Sequence, residues 1–180
     1  MISQYQAYLL ALTIGAWVSI HSARAYNVAD YEEDAGISFA GFRSMDGDIY
    51  GAGFESGVWL TGTPLFGELF GHWLSNAKQD GNYYSAGMTL RLMPRTQLAP
   101  FIGGGGSYNG LTSNRNRGSS ISRLRLPDNS YWQAHAEGGL RIYVGGQRGW
   151  FIETTYRAHW TDTGSDFNYE WISLELGQSF

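Results

Sequence analysis

The chain has 180 residues, no cysteine and a formal net charge of −4 at pH 7. The absence of cysteine excludes a disulfide framework and thiolate metal sites, and the net acidity argues against general nucleic-acid binding. Glycine, with 25 residues, and aromatic residues, at 16%, are abundant for an ordinary soluble domain. Beyond the N-terminal segment, apolar residues alternate with polar ones, which favours β structure.

The first 25 residues have the pattern of a cleaved signal peptide. An apolar run of 14 residues covers 7–20, and the small-x-small motif Ala23-Arg24-Ala25 follows, as in a secretory h-region and its cleavage site. The run is shorter than the ~20 residues that a spanning helix needs, although the segment before it lacks Lys and Arg. We expect cleavage after Ala25 and a barrel domain over 26–180, with a retained membrane anchor as the alternative.

Eight segments of alternating polar and apolar residues follow, with turn signals between them. Gly, Asp, Asn and Pro mark the connections, as at Met45-Asp46-Gly47 and Thr63-Pro64. Most segments reach the ~9–11 residues of a tilted spanning strand, and eight is the smallest strand number typical of single-chain outer-membrane barrels. The predicted strands are 35–43, 48–61, 65–76, 82–93, 98–108, 131–144, 149–161 and 167–180.

The even strand number predicts that both ends of the mature chain lie on the periplasmic side. The short connections near 62–64, 94–97 and 145–148 are then periplasmic. The extracellular connections fall at 44–47, 77–81, 109–130 and 162–166, and the longest one lies outside, as this class of protein requires.

Aromatic side chains near the strand ends predict two belts at the membrane interfaces. The outer belt comprises Tyr50, Trp73, Tyr84, Tyr108, Trp132, Trp160 and Tyr169. The inner belt comprises Trp59, Phe66, Phe101, Tyr143, Trp150 and Phe180.

Each strand sorts its residues onto one polar and one apolar face. In strand six, Glu137 and Arg141 lie on one face, and Leu140 and Ile142 lie on the other. A soluble lipid-carrying barrel would turn the charges to water, whereas a transmembrane barrel turns them inward. Water-facing strands would carry many lysines, yet the chain has a single one, Lys78. This favours the transmembrane arrangement, with the soluble carrier as the alternative.

The polar faces therefore predict an ion network inside the barrel. A buried unpaired ion costs several kcal/mol or more, so these groups should be cross-paired. A turn centred on Gln147 would set Glu137 opposite Arg157 and Arg141 opposite Glu153. A gated polar conduit is one interpretation, and a structural network filling a barrel too narrow for water is the favoured one. The network comprises Glu55, Glu68, Arg91, Glu137, Arg141, Glu153, Arg157, Glu175, His72, His135 and His159.

One arrangement could support hydrolysis. His159-Trp160-Thr161 ends strand seven, with Glu170 or Glu175 downstream. It is similar to the His-x-Ser pair and downstream acid of the outer-membrane lipid A deacylases, which resemble this chain in size and location. However, Thr replaces Ser, and parity turns His159 toward the lumen, out of reach of a nucleophile on the lipid side. We therefore predict no catalytic residue.

Cofactor and metal sites are also not predicted. His135 and His159 would face each other in the same register, but the four histidines are scattered and cysteine is absent. The run Gly103 to Gly106 lacks the lysine and the helix of a phosphate-binding loop. In a strand, such a run leaves room for sharp coiling or a bulky neighbour.

The long connection 109–130 is the best candidate for a functional surface. It contains four of the ten arginines of the mature chain: Arg115, Arg117, Arg123 and Arg125. Guanidinium groups suit phosphate and carboxylate recognition, and lipopolysaccharide phosphates are the abundant anions at an outer surface. The alternative is a solvated loop with incidental charge.

The last strand carries the clearest family resemblance. Residues 167–180 read FNYEWISLELGQSF, with apolar Ile172 and Leu174 alternating with Ser173 and Glu175, and end on Phe180. This end resembles the final strand of outer-membrane barrels, in which a C-terminal Phe is commonly part of the assembly signal. The chain as a whole resembles the small outer-membrane barrels that include OmpA-type transmembrane domains and OmpX-like surface proteins.

The resemblance implies an all-β, eight-stranded antiparallel up-and-down transmembrane β-barrel in the outer membrane of a Gram-negative-type bacterium. It further implies a monomeric, non-enzymatic protein with a structural or surface-interaction role in the envelope. The expected partners are outer-membrane lipids, lipopolysaccharide and the barrel-assembly machinery, without a cofactor. The alternatives are a deacylase-like enzyme that modifies lipid A and a narrow conduit.

Overall fold

The computed structural model describes residues 35–76, 81–113, 129–144, 149–161 and 169–180. They form one closed antiparallel barrel of eight strands, in which sequence neighbours pair and the last strand pairs with the first. The strands are β1 (Ala35–Ser44), β2 (Ile49–Trp59), β3 (Leu65–Asn76), β4 (Gly81–Leu92), β5 (Leu98–Ser113), β6 (Asn129–Val144), β7 (Trp150–Trp160) and β8 (Tyr169–Ser179). Within these residues, no helix is long and apolar enough to cross a membrane.

The predicted fold class and up-and-down order are confirmed, but the fifth and sixth strands are longer than predicted. Each has 16 residues, so the connection predicted at 109–130 is wrong at both ends. Asn109 and Gly110 read as a turn because both residue types are depleted in strands. In the barrel, the Asn109 amide donates to Ser107 Oγ at 3.0 Å, and Asn109 pairs with Tyr131 across the ladder.

Two tight turns depend on glycine. Gly47 has φ 78° and Gly62 has φ 71°, in the left-handed region that glycine adopts without steric cost. The Gly47 N–H donates to the carbonyl oxygen of Ser44 at 2.9 Å, and that of Thr63 donates to Leu60 at 3.1 Å. The turns observed at 45–47 and near 62–64 therefore lie where the sequence predicted connections.

The last strand closes the barrel against β1. The register runs from Ser44 opposite Trp171 to Gly36 opposite Ser179. Beyond it, Ala35 and Phe180 exchange two backbone hydrogen bonds, at 3.1 and 2.9 Å. Closure leaves no unpaired sheet edge, which is a requirement for strands in hydrocarbon.

The barrel has a polar interior and an apolar exterior. Glu137 and Glu153 are buried, whereas Ile142, Ile172 and Leu174 are exposed on the outer wall. A soluble carrier would need the opposite arrangement, so that alternative does not fit. Apolar side chains on the outside of a closed barrel face hydrocarbon in a transmembrane β-barrel.

The aromatic belts match the prediction at six of the seven outer positions and at two of the six inner positions. Six members of the outer belt are exposed on the wall: Tyr50, Trp73, Tyr84, Tyr108, Trp132 and Trp160. Tyr169 instead packs against an interior cluster. At the other end, Trp150 and Phe180 are exposed, whereas Trp59, Phe66, Phe101 and Tyr143 are buried inside. The reason is parity, because Trp59 shares its strand face with buried Glu55.

Leu174→Arg tests the lipid-facing assignment. Leu174 is 66% exposed in the interior of β8, and a cation near the bilayer midplane costs about 2–4 kcal/mol. Val144→Arg, at the end of β6, should cost about 0–1 kcal/mol because the penalty falls toward the interface. Denaturant unfolding in lipid vesicles measures both. Tolerance of the arginine at 174 would contradict the assignment.

Candidate functional site: the filled interior

The interior holds the residues that the sequence predicted to form an ion network, in a layer between two apolar clusters. The inner cluster lies at the β2–β3 and β4–β5 turn end and comprises Trp59, Phe66, Met93, Ala99, Phe101, Tyr143 and Phe151. The outer cluster lies at the β1–β2 hairpin end and comprises Ala40, Phe42, Leu74, Tyr83 and Trp171. Charged groups between them are therefore removed from both aqueous ends.

Arg91 on β4 is the centre of the charged layer. Its Nη1 lies 2.6 Å from Glu68 Oε2 and 2.9 Å from Glu153 Oε1, and its Nε contacts Glu137. Nη2 lies 3.7 Å from Glu55 Oε2. One guanidinium thus contacts carboxylates from four strands, and the side chain is completely buried. The contact from Nε to Glu137 is a charge-assisted hydrogen bond, which is stronger than a neutral one, and the contacts of Nη1 and Nη2 are ion pairs.

The β6–β7 hairpin supplies two further ion pairs. Arg141 Nε lies 2.5 Å from Glu153 Oε2, and Arg157 Nε lies 2.5 Å from Glu137 Oε2. The strands pair in the register that a turn centred on residue 147 requires. Opposite charges on directly facing positions stabilise that register against a slip.

Each buried guanidinium also lies over an aromatic ring. This contact shields the flat face of the cation while its edge binds carboxylates. The pairs are Arg91 with Phe101 at 4.5 Å, Arg141 with Phe66 at 4.7 Å and Phe151 at 4.1 Å, and Arg157 with Phe70 at 4.6 Å.

Glycines facing the lumen provide the space for these rings. A Cβ added at Gly57 would overlap the Phe66 ring, and one at Gly177 would overlap Phe151. In the run 103–106, a Cβ at Gly103 would lie 3.0 Å from Cγ of Arg91. The prediction that this run leaves room for a bulky neighbour therefore agrees with the packing.

The three described histidines lie inside the barrel, toward its outer end. His72 Nε2 lies 2.9 Å from Glu55 Oε1, and His135 Nε2 lies 2.8 Å from Thr89 Oγ1. His159 stacks on Tyr169 with ring centroids 4.6 Å apart. In the described part of the chain, no histidine reaches the lipid-facing wall.

The deacylase-like arrangement is not assembled in the described structure. His159 is buried in the lumen, whereas Trp160 is exposed on the outer wall. The Thr161 hydroxyl donates to the carbonyl oxygen of Trp132 at 2.9 Å. His159 therefore cannot reach a nucleophile on the lipid-facing wall, and the Thr161 hydroxyl is bonded to a backbone carbonyl.

Glu175 differs from the other buried acids in its surroundings. It lies opposite Glu153 across the β7–β8 ladder. Its oxygens accept hydrogen bonds from Ser173 at 3.0 Å and from Ser38 and Thr155 at 3.3 Å. Hydroxyls compensate a carboxylate more weakly than guanidinium groups do.

Among the residues that the structure describes, one interior cluster has a geometry that resembles a cation site. Glu55, Glu153 and Glu175 offer carboxylate oxygens within 4.8 Å of one another. However, Arg91 lies 2.9 Å from Glu153 and 3.7 Å from Glu55. Its fixed positive charge would repel a bound metal ion, so the cluster is better explained by arginine compensation.

Several predicted features lie outside the described residues. They are the signal segment within 1–34, the loop arginines Arg115, Arg117, Arg123 and Arg125 within 114–128, and all or most of the connections predicted at 77–81, 145–148 and 162–166. Phe180, the predicted assembly signal, is exposed at the end of the closing strand.

Two glutamate substitutions separate paired from unpaired charge. Glu137→Gln removes the carboxylate that Arg91 and Arg157 share and leaves Arg157 with no acid closer than 3.7 Å, and it should lower the free energy of unfolding by about 3–5 kcal/mol. Glu175→Gln keeps the shape, relieves repulsion from Glu153 and should be neutral or stabilising. Urea titration in lipid vesicles measures both changes. A larger loss at position 175 than at 137 would contradict this assignment.

Comparisons with known proteins identify the fold. No protein-family model matches the sequence, and the curated proteins give no match. The N-terminal β-barrel domain of Pseudomonas aeruginosa OprF matches with a TM-score of 0.58 and 19% identity, over 82% of this chain and 97% of that one. OprG from Pseudomonas aeruginosa matches with a TM-score of 0.57 and 11% identity, over 82% and 95%. Neisserial surface protein A matches with a TM-score of 0.55 and 16% identity, over 82% and 94%.

The chain has the fold of the small outer-membrane barrels. At these identities the likeness concerns the fold, and a function has to be argued from the residues of this chain.

Proposed function

We propose that the protein is a non-enzymatic barrel of the outer membrane that carries its loops at the cell surface, in a structural or surface-interaction role. The observation that supports this most is the filled interior. Apolar clusters lie at both ends of a layer in which Arg91 contacts four carboxylates. An eight-stranded barrel has an interior that side chains can fill completely. Ions could pass along the barrel axis only if the contacts between Arg91 and these carboxylates were broken.

The placement of histidines argues against the enzyme alternative. A hydrolase acting on a membrane lipid needs its base and nucleophile on the wall that the lipid contacts. His72, His135 and His159 are instead buried in the lumen. The chemistry available on the described outer wall is that of packing and contact.

The outer-membrane location is supported by two features. The inverted polarity of the barrel suits hydrocarbon on its outside. The apolar run 7–20 followed by Ala23-Arg24-Ala25 has the form of an export signal. With the chain ends periplasmic, the β1–β2 and β5–β6 connections are extracellular.

Planar-bilayer recording and lipid A analysis test the proposal together. Purified protein should give no steady conductance, because side chains fill a barrel of this size and apolar clusters lie at both ends of the charged layer. Lipid A from cells with and without the protein should have the same acyl chains by mass spectrometry. Fractionation should place the protein in the outer membrane, with heat-modifiable gel migration. Unitary conductance, or loss of an acyl chain, would contradict the proposed role.

The loop arginines supply a separate test of surface interaction. Changing Arg115, Arg117, Arg123 and Arg125 to glutamine should weaken salt-sensitive binding of the protein to lipopolysaccharide, because guanidinium groups pair with phosphate. Arg95→Gln, in the β4–β5 turn at the opposite end, is the control for each of the four loop substitutions made singly. Binding by the fourfold variant equal to that of the unchanged protein would show that the loop is incidental.

A further inference from the structure

The outer wall beside the β1–β2 hairpin carries a groove of about 690 Å³. It lies on the membrane-facing side, away from the filled interior. The outward side chains that line it come from the β1 end, the hairpin, β7 and β8, namely Arg43, Met45, Thr154, Ile172 and Leu174, with Gly41 between them.

Gly41 forms the floor of the groove. It lies between Ala52 of β2 and Leu174 of β8 in the ladder. A Cβ built on Gly41 would meet no heavy atom within 4 Å. Two exposed side chains lie next to Gly41 on the outer wall. Phe39 precedes it by two residues on β1, and Leu174 lies opposite it on β8. The wall therefore has a depression of the kind that an extended acyl chain can occupy.

Arg43 adds a charge at the upper end of the groove. It is exposed two residues beyond Gly41 on the same face of β1, a spacing of about 7 Å along a strand. Among the described strand residues, Arg43 and Glu170 are the charged side chains that face outward. A cation on the lipid-facing wall costs little free energy near the membrane interface. A guanidinium group at that position would bind an anion.

The hairpin holds this end of β1 in a fixed position. The Ile49 N–H donates to Ser44 Oγ at 2.9 Å, and the Asp48 N–H donates to Asp46 Oδ1 at 3.2 Å. Ser44 Oγ also donates to Asp46, and the Met45 N–H donates to the Glu170 carbonyl at 2.9 Å. The Asp46 carboxylate is thus engaged within the turn, and the strand end is tied to β8.

We propose that this groove binds a phosphorylated glycolipid of the outer leaflet, of the lipid A kind. One acyl chain lies over Gly41, and a phosphate pairs with the Arg43 guanidinium, which can donate two parallel hydrogen bonds. The inference rests on the proposed function, because it requires the β1–β2 hairpin to lie at the extracellular side of the outer membrane. The proposed site includes none of the loop arginines within 114–128.

Native mass spectrometry of the full chain in detergent tests the charge. The probes are diphosphorylated lipid A, phosphatidylglycerol and phosphatidylethanolamine, each added at equal concentration. Lipid A should be retained most. Arg43→Gln should lower its retention about tenfold, as expected for one lost charge-assisted contact. Glu170→Gln should raise retention, because Glu170 is exposed and its backbone bonds Met45 of the groove lining, so its carboxylate repels a phosphate bound nearby.

A pair of glycine variants tests the shape. Gly41→Leu fills the groove without an internal clash and should also lower lipid A retention. Gly71→Leu is the matched control, because Gly71 of β3 faces outward into open space but does not line the groove. Heat-modifiable migration confirms that both variants are folded.

Equal retention of lipid A by Gly41→Leu, Arg43→Gln and the unchanged protein would overturn the proposal. Preference for phosphatidylglycerol over lipid A would also overturn it, because the site would then be one for an anionic phospholipid. Conductance or lipid A deacylation would contradict the proposed function and leave these retention values as they are. The two failures are therefore distinguishable.

Discussion

The compensation of buried charge inside a narrow barrel is the constraint on which the rest of the structure depends. Arg91, on β4, contacts carboxylates from β2, β3, β6 and β7. Backbone ladders join only neighbouring strands, whereas this one side chain joins strands on different sides of the barrel. Removing one partner from such a network leaves an uncompensated charge in a low-dielectric interior. The network therefore specifies the strand arrangement as well as filling the space.

Because side chains fill the interior, they limit which parts of the protein can carry a function. Side chains that neutralise one another across the lumen are not available for transport or for chemistry on a membrane lipid. The three described histidines lie among them, with His72 bonded to Glu55, His135 bonded to Thr89 and His159 stacked on Tyr169. Residues on the outer wall and in the connections can be changed without disturbing this interior. Surface recognition is thus the function that conflicts least with the physical requirements of the fold.

The sequence predicted those features that depend on alternation and short turns. The β6–β7 register follows from facing pairs of opposite charge around a short turn, as with Arg141 and Glu153. The cross-barrel contacts of Arg91 could not be predicted, because they depend on strand tilt and stagger. Aromatic residues near strand ends look alike whether they face lipid or close the lumen. The distinction could have been made from alternation along the strand, because Trp59 lies four residues after Glu55 and so shares its inward face. The belt prediction considered only how near each aromatic residue is to a strand end.

Glycine and arginine residues have different roles on the inner and outer faces of the barrel wall. Gly57 and Gly177 face inward and make room for the rings that lie against buried arginines, whereas Gly41 faces outward and leaves the wall open. Arg141 and Arg157 find their anions within the protein. Arg43 has the same chemistry on a surface whose neighbours are lipids, so the membrane is the natural source of its anion. Residue identity alone therefore does not assign a role, because the face on which the residue lies determines which partners are available.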